Sequence, residues 1–170
     1  ASDVYKRQVG SGSAYAMTID GEQINAGIYI YYSYASYMEL TQTLQSQNSE
    51  LDVKDDNVVK EQKMDGVSSE EWIKNKALEY CQRYVAIEKK FDELDLSLTE
   101  EESKDVESTI DSFWDTNGEI YEKNGISKNS VKSVLENTYM TNEVLKSLED
   151  SQSIAEGGAY GCLLYTSDAA

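Results

Sequence analysis

The chain is 170 residues long, with a formal net charge of −17, 13 tyrosines, and neither proline nor histidine. So acidic a surface repels phosphate backbones, which excludes nucleic acid as the main ligand and disfavours an anionic membrane. The missing histidines remove the commonest general base and metal ligand, and the missing prolines favour long uninterrupted helices.

Both ends read as sequencing adaptor. Residues 162–170, back-translated and reverse-complemented, yield in another frame the Ala-Ser-Asp-Val-Tyr-Lys-Arg that opens the chain at Ala1. This inverted repeat resembles the mosaic end used in transposon-based library preparation, so residues 1–8 and 162–170 are expected to be artefact and are set aside. Setting them aside removes two cations and two acids and leaves the net charge unchanged. Residues 9–16 are small and uncharged, and Ala14-Tyr15-Ala16 has the A-x-A form of a signal peptidase site. A signal-peptide remnant and a linker behind an upstream lipid anchor are both compatible with it, and both place the protein outside the cytoplasm. No stretch is apolar enough to span a bilayer.

Ala16–Ile19 and Glu22–Ile24 flank Asp20-Gly21, the favoured two-residue turn of a β-hairpin, and Asn25 is a helix cap. In residues 26–46, Ile28, Ile30, Tyr32 and Tyr34 alternate as in a strand, while Ile30, Tyr34, Tyr37 and Met38 fit a helix; length favours the helix. Residues 47–66 are polar and irregular and are expected to be a loop ending in Asp65-Gly66. Ser68 with Glu71 forms a capping box for a second helix, whose seam is Ile73, Ala77, Tyr80, Tyr84, Ile87 and Phe91. Thr99 with Glu102 opens a third, with Val106, Ile110, Phe113 and Ile120 along its seam, Trp114 beside it and a kink expected at Asn117-Gly118. Asn124-Gly125 ends that helix, and Ser127 or Ser130 starts a last one carrying Val131, Val134, Leu135, Leu145 and Leu148. The expected fold is therefore mainly α: about four helices behind a short N-terminal β-hairpin in residues 17–150. Residues 151–161, rich in Ser, Gly and Ala, read as a linker toward a further C-terminal domain.

Catalytic chemistry finds no foothold in these residues. Asp52–Asn57 lacks the glycine and ligand spacing of a calcium loop. The acid runs Glu70-Glu71 and Glu100–Glu102 sit in first helical turns, where the dipole favours them. Serine has no histidine to pair with, and Cys81, the one cysteine outside the adaptor, sits among apolar helical positions as a buried structural thiol. No catalytic residue, metal or cofactor is expected. Tyrosine is the unusual resource: Tyr29, Tyr31, Tyr32, Tyr34 and Tyr37 fall within nine residues and cannot share one helical face. Rings with a polar tip suit an adaptable contact surface; packing against the hairpin and the following chain is the other account.

Three segments in this order resemble the N-terminal helical domain of SurA/PrsA-type extracytoplasmic foldases, a relative of the peptide-binding part of trigger factor. Thr18-Ile19-Asp20-Gly21-Glu22-Gln23-Ile24 is similar to the family's opening strand and turn, and Glu71–Ala77 to its middle helix. Tyr121–Ser127 is similar to the turn before its last long helix. The resemblance spans residues 16–150. It implies a chaperone domain, secreted or membrane-anchored at the cell surface, that binds unfolded or nascent secreted polypeptides. Tyr29, Tyr31, Tyr32, Tyr34, Tyr37, Trp72 and Trp114 are then the candidate client-binding residues. Many members carry a parvulin-type peptidyl-prolyl isomerase domain after the helices, so a fragment of such an isomerase is one alternative. A structural helical surface module is the other.

Overall fold

A computed structural model describes residues 15–167, with side chains to residue 152; the adaptor reading of residues 1–8 and most of segment 9–16 lie outside the described residues. Two strands, β1 (Tyr15–Ile19) and β2 (Glu22–Asn25), pair antiparallel. Asp20 and Gly21 both take positive φ, as the Asp-Gly turn requires. So small a ribbon needs a partner. It finds one by inserting Ile24 among Ile28, Cys81, Val85 and Val134, with Met17 and Ile19 alongside. Lys89 donates to the Asp20 carboxylate at 2.8 Å and ties the turn to a later helix.

The ambiguous stretch is helical: α1 spans Ala26–Gln47, and Asn25 caps it by accepting from the Gly27 amide at 2.7 Å. Its apolar residues point several ways because α1 is covered on several sides. Ser33 and Ser36 are buried there, and each hydroxyl donates to its own helix, to the Tyr29 and Tyr32 carbonyls. Serine can thus line a helix contact without leaving an unpaired group.

Residues 48–68 are more ordered than the sequence suggests. Asp55 caps a short helix, α2 (Asp56–Glu61), and a second hairpin joins β3 (Lys63–Met64) to β4 (Val67–Ser68) through Asp65 and Gly66, both at positive φ. Val59 and Met64 complete a cluster with Leu40, Leu44 and Ile73. The buried Ser69 hydroxyl donates to the Val59 and Gln62 carbonyls at 2.7 and 3.0 Å and pins the excursion.

Helix α3 (Ser69–Glu93) starts at Ser68, which accepts from the Glu71 amide. Its buried line is Ile73, Ala77, Cys81, Val85 and Phe91, so the seam is rotated from the expected one: Tyr80, Tyr84 and Ile87 sit on the flank, half-buried. Small side chains let neighbouring helices approach, whereas the tyrosines need room for their hydroxyls. Cys81 is sealed, as expected of a structural thiol.

Helix α4 (Glu100–Lys123) carries the reciprocal Thr99–Glu102 capping box and runs unbroken through Asn117-Gly118, where a kink was expected. The Trp114 indole lies over Gly118 in space that a Cβ would need, and Asn117 donates to the Phe113 carbonyl within the helix. Ile120 is 61% exposed rather than on the seam; Tyr121 takes the inward position. The chain turns at Gly125 and enters α5 (Lys128–Ser167). Val131, Val134 and Val144 are buried there, whereas Leu145 and Leu148, also expected on this helix, are exposed. α5 also continues through residues 151–161, where a linker was expected. With no proline to stop it, each added residue extends the hydrogen-bond ladder.

The helices α1, α3 and α5 pack on one another, and α4 packs along α5. Lys128 with Asp111, and Lys132 with Glu107, join α4 to α5. Gly27 lies close against Ser130, whose hydroxyl is bonded to both cap residues, Asn25 and Ser127. A Cβ on Gly27 would lie 2.3 Å from that oxygen. Gly27→Ala is therefore expected to destabilise the fold by about 1–3 kcal/mol, as overpacking does. Urea unfolding of Gly27→Ala, Ser130→Ala and the double variant checks it: the two costs should be clearly non-additive.

Candidate functional site

The tyrosines of α1 fan out around the helix and reach different neighbours. Tyr32 points to α3, stacking on Tyr80 at 5.5 Å and meeting Tyr84 edge-on at 6.4 Å. Tyr31 sits between Tyr32 at 5.7 Å and Tyr121 of α4 at 6.3 Å. Tyr121 is the hub, touching Tyr34 at 6.0 Å, Phe113 at 5.1 Å and Trp114 at 6.5 Å. A continuous aromatic row thus runs from α3 across α1 to α4. Pairs in these offset and edge-on geometries contribute about 0.5–1.5 kcal/mol each beyond their area.

Four of the seven expected residues, Tyr31, Tyr32, Tyr34 and Trp114, meet in this row. The other three do not. Tyr29 packs beside the first hairpin. Tyr37 donates to Asp56, and Trp72 donates to Asp65, both beside the cluster under the second hairpin. Tyr80, Tyr84, Phe113 and Tyr121 belong to the row and were not singled out. The sequence places Tyr80, Tyr84 and Phe113 on helical seams, as core, and Tyr121 next to the seam residue Ile120.

Most of these rings are half-buried, and Tyr34 is the one of the seven that is exposed, at 44%. Met38, one turn further on, is 40% exposed, and Gln42 and Gln45 continue the line. The stripe Tyr34–Met38–Gln42–Gln45 spans about 16 Å of helix surface and contains no charge. The single ionisable carboxylate of α1, Glu39, turns away from it to accept from Tyr80 at 2.5 Å and to pair with Lys76 at 3.8 Å. No Lys or Arg occurs between Gln8 and Val53.

Burial pushes the Tyr31, Tyr32 and Tyr84 phenols up, and it pushes Tyr80 up to about 12, helped by the bond to Glu39. The row consequently offers neutral phenols, hydrogen-bond donors on an apolar body, and no nucleophile. The Cys81 thiol is likewise pushed up to about 12 by burial, far from the thiolate that reactivity needs. No group of three or more Cys, Asp or Glu that could hold a metal occurs among the described residues. None of their helices is long and apolar enough to cross a membrane. No family model, curated protein or solved structure matches the chain.

One polar knot supports the row from behind. Asn137 of α5 donates to the Tyr84 carbonyl at 3.0 Å and to Glu88 at 3.2 Å. Burial raises the Glu88 pKa, and Asp92 and Glu136 nearby add to that, while the bonds from Asn137 and Tyr84 oppose it. A carboxyl with a raised folded pKa favours folding only while protonated. That contribution is complete below the unfolded value of about 4.3 and is lost as pH rises through the folded value. Glu88→Gln is accordingly expected to raise Tm at pH 7, on the order of 2 °C, with the gain vanishing near pH 4. Thermal melts of both proteins across that range check it.

Proposed function

We propose that the chain is the client-binding helical domain of an extracytoplasmic chaperone of the SurA/PrsA type. It holds non-native polypeptide, acting as a secreted or surface-anchored protein. The observation that carries this reading is the uncharged exposed stripe of α1, headed by Tyr34 and Met38, in a chain whose residues are 28% charged. Exposed apolar surface among so many charges is suited to contact rather than solubility. The hairpin followed by helices, in the order of the three family-like segments, supports the same reading.

The mechanism follows from the chemistry of the stripe. Tyr34 and Met38 provide one rigid and one pliable apolar contact, and the glutamines beyond them provide donors and acceptors for an extended backbone. Such contacts are individually weak and tolerant of sequence, so a client is retained by their number and released without energy input.

Light scattering of a reduced, aggregating client protein tests the proposal. The full chain at several-fold molar excess is expected to suppress aggregation. A Tyr34→Ser, Met38→Ser variant is expected to lose most of that effect while still melting cooperatively, at a Tm lowered by only a few degrees. Equal suppression by both proteins removes the stripe from the mechanism, and no suppression by either favours a purely structural helical module.

A further inference from the structure

We propose that the α1 stripe is selective for cationic clients: polypeptide segments in which Lys or Arg alternates with apolar or aromatic residues. The proposal rests on the client-binding reading above and adds the charge class of the occupant. Three observations carry it.

The first is that the stripe's own helix and the hairpin leading into it carry no cation. Elsewhere the cations are mostly committed: Lys74, Lys76, Arg83, Lys89, Lys90, Lys104, Lys123, Lys128, Lys132 and Lys146 all sit in ion pairs. The described cations outside any ion pair are Lys54, Lys60 and Lys63, all in the excursion around α2. The surplus of acid therefore sets the field over the helices.

The second is an acidic margin beside the row. On α4, Trp114 and Tyr121 share the face turned toward α1. Asp115 and Glu122 each follow one residue later, about 100° further round, and both are exposed. Their neighbours Asp111 and Glu119 are paired with Lys128 and Lys123, whereas no ion pair reaches Asp115 or Glu122 among the described residues. Tyr121 in turn lies against Tyr34, so these carboxylates, next in sequence to Trp114 and Tyr121, flank the α4 end of the aromatic row.

The third is that this fold already pairs rings of this kind with cations. Lys76 lies over the Trp72 and Tyr80 rings at 6.0 and 5.4 Å, and Arg83 lies over Tyr80 at 5.6 Å. Tyr34 and Tyr121 carry no such cation among the described residues. A guanidinium or ammonium from a client reaches the same ring face with Asp115 or Glu122 beside it, while the client's apolar residues lie on Met38.

Fluorescence anisotropy with three labelled unstructured peptides tests the inference. They have equal length and equal Phe and Leu content, with the intervening positions Lys/Arg, Ser/Gln or Glu. At about 30 mM salt the cationic peptide is expected to bind the full chain about tenfold more tightly than the neutral one, and the acidic peptide most weakly. At about 500 mM salt that advantage is expected to shrink to about twofold. Asp115→Asn with Glu122→Gln is expected to cut the cationic peptide's affinity about threefold. Equal binding of cationic and neutral peptides overturns the selectivity and leaves the chaperone reading standing, whereas no binding of any peptide overturns both. Undiminished binding of the cationic peptide to the Tyr34→Ser, Met38→Ser variant would show attraction to net charge alone and would overturn the site.

Discussion

The fold is organised by the burial of one nearly uncharged helix. α1 meets the first hairpin, α3, α5 and the second hairpin's cluster around its circumference, and apart from Glu39, which bonds Tyr80 and Lys76 of α3, it makes these contacts with side chains that carry no charge. A charged residue at any of those positions would cost several kcal/mol in desolvation unless it were paired. Serine and threonine are tolerated because Ser33, Ser36 and Thr41 donate to carbonyls of α1 itself. The helix therefore presents an almost seamless surface to its neighbours. Those neighbours place their acids outward, so the same chain is strongly charged at the rim and neutral through its centre.

Where local chemistry decides structure, the sequence was legible. Asp20-Gly21 forced the first turn, Asn25 capped α1, and the Thr99–Glu102 box fixed the start of α4, because each acts within three or four residues. The second hairpin rests on the same Asp-Gly signal, yet strands of two residues carry no periodicity to accompany it. Tertiary choices were less legible. On α3, both the tyrosine line and the Cys81–Val85 line repeat with helical spacing, and only the nearness of α1 and α5 selects the smaller side chains for the inside. Leu145 and Leu148 look like core by hydropathy alone, but in that part of α5 the buried position is Val144, and the two leucines stay exposed.

The aromatic row shows the same limit from the other side. Five tyrosines within nine residues were conspicuous in the sequence, but their division of labour depends on partners far along the chain. Tyr121, 87 residues beyond Tyr34 in sequence, joins Tyr31 and Tyr34 to Phe113 and Trp114. Tyr37 and Trp72 are drawn to the excursion by Asp56 and Asp65, residues of a segment expected to be irregular. Composition identified the unusual residue type, and topology assigned each ring its role.

Burial accounts for the uncharged flanks of α1 but not for its solvent side. The helices α2, α3 and α4 each place acids in the first turn and a lysine in the last, in accord with the helix dipole; α1 does neither. An exposed face is where such charges, and the i,i+4 pairs seen on α3 and α4, add stability and solubility at little cost. Tyr34, Met38, Gln42 and Gln45 forgo both benefits while leaving two large apolar side chains in water. Packing alone does not require this, since Tyr34 and Met38 remain 44% and 40% exposed and Gln42 and Gln45 are exposed as well. A surface kept neutral against the trend of α2, α3 and α4 suits the client contact proposed above, and an apolar face near an acidic margin would match a partner that is both apolar and basic.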